Sequence, residues 1–292
     1  MADGTMRPFR VRLDQARRTA GVANDAVLKD YALSYLLAGI QSVPELDQTL
    51  AFKGGTALRK CFFEGYRFSE DLDFTLLEPI EDLEPLVRRA TEGAVQRMSE
   101  YGPFSAEVRP AAHRAEHPFG QQDFRITLKY PTGASLPLKV EITRDEPIIV
   151  GTERRNILHA FPEEDLQVSV NCYRIEEIVI EKLRAFLQAR ENLGRRDWLN
   201  RSRDLYDLWA VRQRPDADID WGALRSVLAQ KCEARGVAFE GPDDFLDQRV
   251  LQKYREQWRP RLEGFVPQGA LPDFDAALKA MREALAEIFG SN

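Results

Sequence analysis

Residues 53–74, KGGTALRKCFFEGYRFSEDLDF, place two glycines near one end and two aspartates, Asp71 and Asp73, near the other. The stretch FSEDLDFTLL (68–77) alternates with a period of two, so Leu72, Phe74 and Leu76 share one face of a strand and Asp71, Asp73 and Thr75 the other. The two aspartates therefore project together. Buried carboxylates are costly unless they are paired or bind a cation. Ahead of them, LAF (50–52) reads as a short strand, KGGT as a turn and ALRKCFF as a helix. Any fold for this chain must hold a strand, a glycine turn, a helix and an acidic strand in that order.

After an irregular start, a helix is expected over 24–40, with Leu33, Leu36, Leu37 and Ile40 spaced for a core-facing stripe. A second helix is expected over 81–100, ended by Tyr101-Gly102-Pro103. Strands follow near 104–109, 122–130 and 137–143, the last two joined by the turn PTGAS. On the third of these, Lys139 and Glu141 share a face, so another carboxylate enters a sheet. Residues 144–172 read as loops with one short strand. From Arg174 the pattern is helical: 175–192, 199–213, 221–235, 243–258 and 273–288. The expected class is α+β, a mixed β-sheet with flanking helices over 1–172 followed by an all-helical domain over 173–292.

A chain of 292 residues with 43% hydrophobic and 30% charged residues buries a large core, and no run approaches the roughly 18 consecutive apolar residues of a membrane span. The N-terminus lacks the apolar stretch of a secretory signal, so the expected location is cytoplasmic. Cys61, Cys172 and Cys232 have no metal-ligand spacing and read as reduced, structural thiols. His113 and His117 are spaced H-x-x-x-H, but Pro118 and Gly120 argue for a loop rather than the helix a metalloprotease needs. The net charge of −6 is not that of a protein that coats nucleic acid. Locally, 182–214 carries nine basic residues against four acidic ones, either a solvated helical face or a patch that meets phosphates.

Three carboxylates from two strands on one face make an oxygen cage suited to Mg²⁺ or Mn²⁺, and such a site serves phosphoryl or nucleotidyl transfer. Gly54, Gly55 and Thr56 stand at a strand-to-helix turn whose backbone N–H groups suit a triphosphate. Lys182 falls on the stripe of Ile175, Ile178, Val179, Leu183, Phe186 and Leu187, where its ammonium is desolvated unless it meets an anion or snorkels to solvent.

The order strand, Gly-Gly-Thr turn, helix, Asp-x-Asp strand and later acidic strand resembles the nucleotidyltransferase (DNA polymerase β-like) superfamily. More narrowly, GGTALRK with YRFSEDLDF, EEIVIEKLRAF and RSRDLYDLW resembles the AbiEii-type toxins of bacterial toxin–antitoxin systems, including the mycobacterial MenT enzymes, over about residues 28–212. The resemblance implies transfer of NMP from an NTP to the 3′ end of tRNA, arrested translation and growth, and a cognate antitoxin. It implies metal binding by Asp71 and Asp73, with Glu141 as third ligand or base, and a phosphate role for Lys182. Asp204 matches an active-site aspartate that positions the lysine or accepts a proton; Asp207 reads as structural. Ser69, which otherwise caps a strand end, matches a serine that touches nucleotide phosphate and is phosphorylated by the antitoxin in some relatives. Lys53 and Arg67 are either phosphate contacts or ordinary surface charges. Two other readings stay open: nucleotidyl or phosphoryl transfer to a protein or small-molecule hydroxyl, and a module that binds a nucleotide or partner without turnover.

Overall fold

The computed structural model describes residues 6–110, 119–194 and 201–290, and the His113–His117 spacing lies outside them. Two compact units are formed: one within Met1–Glu146, Thr152–Tyr173 and Phe265–Gln268, the other within Pro147–Gly151, Arg174–Gly264 and Gly269–Asn292.

The first unit is built on seven strands among the described residues: β1 (Leu50–Lys53), β2 (Asp71–Leu76), β3 (Ser105–Pro110), β4 (Gln121–Lys129), β5 (Ser135–Thr143), β6 (Thr152–Asn156) and β7 (Ser169–Tyr173), in the order β3-β4-β5-β2-β1-β7-β6. The pairs β1–β7 and β2–β5 are parallel and the others antiparallel. Residues 144–172 thus supply two strands rather than the expected one. At five residues each, TERRN and SVNCY are too short for alternation to separate strand from loop, and β7 lies between β1 and the edge strand β6.

One face of this sheet is apolar. Phe52 and Phe74 meet with ring centroids 5.2 Å apart, and Leu72, Val140, Ile142 and Ile126 are buried with them. Helices α2 (Asn24–Gln41) and α5 (Glu84–Met98) cover this face. α2 is buried nearly all round rather than along one stripe, because α5 and α1 (Phe9–Ala20) pack on it as well as β5 and β7. A Cβ at Gly39 would lie 2.0 Å from the Ala90 carbonyl oxygen, so only glycine permits the crossing of α2 and α5.

α1 replaces the irregular start expected from sequence. Its apolar anchors are few, Phe9 and Leu13, and its third buried residue is an arginine. Arg12 reaches the fully buried Glu164, which also accepts from Tyr35 Oη at 2.5 Å and Tyr31 Oη at 3.2 Å and lies 3.2 Å from His159 Nε2. Burial alone would raise the Glu164 carboxyl; these donors outweigh it and hold it below its usual range. A buried ion pair, which periodicity does not reveal, fixes this helix.

After α3 (Pro44–Thr49) and β1 the chain enters α4 (Gly54–Ala57) directly and continues as one π-helical turn, Leu58–Phe62. That turn sets Arg59 and Lys60 against Asp30 of α2, with Arg59 Nε 2.5 Å and Lys60 Nζ 2.8 Å from Asp30 Oδ1. Lys60 Nζ also donates to Ser34 Oγ at 2.8 Å.

The second unit is helical among the described residues: α6 (Ile175–Glu191), α7 (Ser202–Arg212), α8 (Leu224–Ala234), α9 (Gln248–Leu262) and α10 (Phe274–Phe289). Glu177, in the first turn of α6, accepts from the amides of Ile149 and Val150 and lies 2.6 Å from Lys231 of α8, so it clamps the segment Pro147–Gly151. No helix of the described residues is long and apolar enough to cross a membrane.

Candidate active site

The polar face of the sheet carries the acids. In register, Lys53 of β1 lies opposite Asp73 of β2, Asp73 beside Glu141 of β5, and Glu141 opposite Asp123 of β4, so four charged residues form a row across four adjacent strands. Asp71, one pleat away, lies beside Lys139. Asp71, Asp73 and Glu141 are half-buried, whereas Asp123 is buried.

Burial pushes the Asp73 carboxyl well above the usual aspartate range, and the charges of Glu141 and Asp71 push it further; Lys53 only partly offsets them. Gly54 explains how Asp73 is accommodated. It adopts φ +80°, and a Cβ there would stand 2.7 Å from Asp73 Oδ2, so the glycine serves both the turn and the carboxylate above it. Thr56 is buried and donates from Oγ1 to the Asp71 carbonyl at 2.5 Å, which ties the helix start to β2. Among the described residues no three His, Cys, Asp or Glu side chains converge at metal-ligand spacing. Glu141 Oε1 lies 2.5 Å from Lys139 Nζ and 2.6 Å from Gln121 Nε2.

Lys53 and Arg67 are buried rather than ordinary surface charges. Lys53 pairs with Glu146 and lies 5.7 Å from the centre of the Tyr173 ring, and Arg67 donates to the Phe68 carbonyl at 3.3 Å. Ser69 is half-buried just ahead of β2, which begins at Asp71 and not at residue 68. Gly55 is half-buried in the first turn of α4.

In the helical unit the buried Lys182 meets anions of its own chain. Its Nζ lies 3.0 Å from Asp204 Oδ1 and 2.6 Å from Asp207 Oδ2. Besides Asp204, the fully buried Asp207 is thus a second carboxylate on this lysine, which sequence spacing does not reveal. The basic run over 182–214 is not an open patch. Lys182 and Arg184 are buried, Arg190 pairs with Asp244, Arg212 lies 2.8 Å from Glu287, and none of the run's described basic residues is exposed; Arg195 and Arg196 lie outside the described residues.

Asp123 was missed from sequence. The signal was present in the PTGAS turn: Tyr130 N–H donates to the Ala134 carbonyl at 2.9 Å, which fixes the hairpin register, and counting back along both strands sets Asp123 opposite Glu141.

A family model described as nucleotidyl transferase AbiEii toxin, type IV TA system, matches residues 35–280. Among solved structures the chain is similar to MenT4, a nucleotidyltransferase toxin from Mycobacterium tuberculosis H37Rv, with 20% identity, a TM-score of 0.61, and 96% of this chain and 90% of that chain covered. At this identity the likeness is one of fold. No curated protein matches the chain.

Proposed function

The chain belongs to the AbiEii family of nucleotidyltransferase toxins of type IV toxin–antitoxin systems, and from that premise we propose that it transfers NMP from an NTP to the 3′ end of tRNA, releasing pyrophosphate and so halting translation and growth. The observation that carries the reading is the cross-strand register: Asp73 beside Glu141, with Asp71 one pleat away, on a sheet face where carboxylates crowd each other. Proteins keep such repulsion at functional sites, where a ligand or cation relieves it. The tRNA acceptor rests on the sequence likeness to MenT enzymes.

The donors suit a hard divalent cation, being oxygens of carboxylates gathered on one face. Asp71, Asp73 and Glu141 would hold Mg²⁺ or Mn²⁺, which when bound neutralises phosphate charge and activates the attacking hydroxyl. The backbone N–H groups of Gly54, Gly55 and Thr56 would hold the triphosphate, with Lys53 and Arg67 adding positive charge. Lys182, steadied by Asp204 and Asp207, would contribute an ammonium to the nucleotide phosphates. Ser69 would touch phosphate; phosphorylation there adds about −2 of charge and would block nucleotide entry. In this scheme the sheet-bearing part is the catalytic domain and the helical part completes the active site.

Incubation with labelled NTPs, Mg²⁺ and separate pools of RNA and protein tests the reaction and its acceptor. Label at the 3′ end of tRNA is the expected result. Label on protein alone overturns the acceptor, and label on neither pool overturns transfer to these acceptors.

A further inference from the structure

We propose that Asp123 is a positioning residue that aims Glu141 at the cation site, acting through Lys139 and Gln121; the inference rests on the carboxylate reading above. Both oxygens of Asp123 meet a donor. Oδ2 lies 3.2 Å from Lys139 Nζ, and Oδ1 accepts from Gln121 Nε2 at 2.7 Å. Both donors reach on to a single atom, Glu141 Oε1, at 2.5 Å from Lys139 and 2.6 Å from Gln121. A closed double bridge thus joins the two carboxylates.

Two features make this more than a surface ion pair. Asp123 is buried, with its side chain 4% exposed, so the anchor of the bridge is rigid and poorly solvated. Two donors on Oε1 turn the carboxylate about one edge, which leaves Oε2 as the oxygen to share with Asp71 and Asp73. Supports of this kind set a ligand's orientation rather than bind the metal, and their loss typically weakens metal affinity about 10- to 100-fold.

Equilibrium Mn²⁺ binding without nucleotide, read by electron paramagnetic resonance, tests the proposal, with thermal melting to confirm folding. Asp123→Asn and Lys139→Met should each weaken Mn²⁺ binding about 10- to 100-fold, and neither should weaken it further in a Glu141→Gln background. The lysine variant is decisive about cause. It removes a positive charge, so simple electrostatics predicts tighter Mn²⁺ binding, whereas loss of positioning predicts weaker binding. Tighter binding by Lys139→Met, affinity within about twofold of the parent in Asp123→Asn, or losses additive with Glu141→Gln would overturn the inference. If Asp71→Ala and Glu141→Gln themselves leave Mn²⁺ binding intact, the carboxylate reading fails and takes this inference with it. If those two lose binding and Asp123→Asn does not, only the positioning role fails.

Discussion

Asp73→Asn loses nucleotidyl transfer on the order of a thousandfold or more and at the same time melts no lower than the parent at neutral pH. The first effect follows because an amide cannot replace a carboxylate as ligand to a hard cation, and removal of one essential catalytic group costs this much or more. The second follows from the crowding on the sheet. Burial and the charges of Glu141 and Asp71 all oppose an ionised Asp73, so an isosteric neutral group relieves repulsion in the free protein. Gain or retention of stability with loss of activity is the behaviour of a site kept under strain for function. Initial rates of label incorporation and a melting curve on the same preparation check both parts. A variant that stays active, or one that is inactive because it unfolds, contradicts the account.

Asp30→Ala destabilises the sheet-bearing unit by about 3–5 kcal/mol, since it leaves a buried ammonium without its counter-charge. Lys60 is 1% exposed, and Arg59 stands against the same carboxylate oxygen. Burial opposes ionisation of Asp30, but Arg59 and Lys60 outweigh it and drive the carboxyl far below the ordinary aspartate range. The sign for pH follows. An acid depressed in the folded state contributes stability above its unfolded pKa, and that contribution is lost as pH falls below about 4. The parent and Asp30→Ala should therefore differ most in urea unfolding near neutral pH and approach each other in acid. A constant gap down to strongly acidic pH would show that the loss is one of packing and not of charge.

The parts of the fold that were legible in the sequence are those where one periodicity dominates. The alternation of Leu72, Phe74 and Leu76 against Asp71 and Asp73, and that of β5, set both faces of the central strands. The stripe of α6 placed Lys182 on a buried face, where it lies. What escaped was held by interactions between distant residues. α1 is fastened by Arg12 to Glu164 and has too few apolar residues to declare itself, and β7, only five residues long, is held between β1 and the edge strand β6. At the site, the acids of β2 and β5 were readable because they interrupt apolar strands, whereas Asp123 gains meaning only from its register with Glu141. Lys182 was expected to need an anion; which anions its own chain supplies, Asp204 and Asp207, depends on the packing of α7.

The most direct test is the position of a bound metal. Crystals grown with Mn²⁺ and a non-hydrolysable NTP should give an anomalous peak shared by the carboxylates of Asp71 and Asp73, with the triphosphate at the amides of Gly54 and Gly55. A peak coordinated by other side chains, with that sheet face bare of metal and nucleotide, would contradict the account.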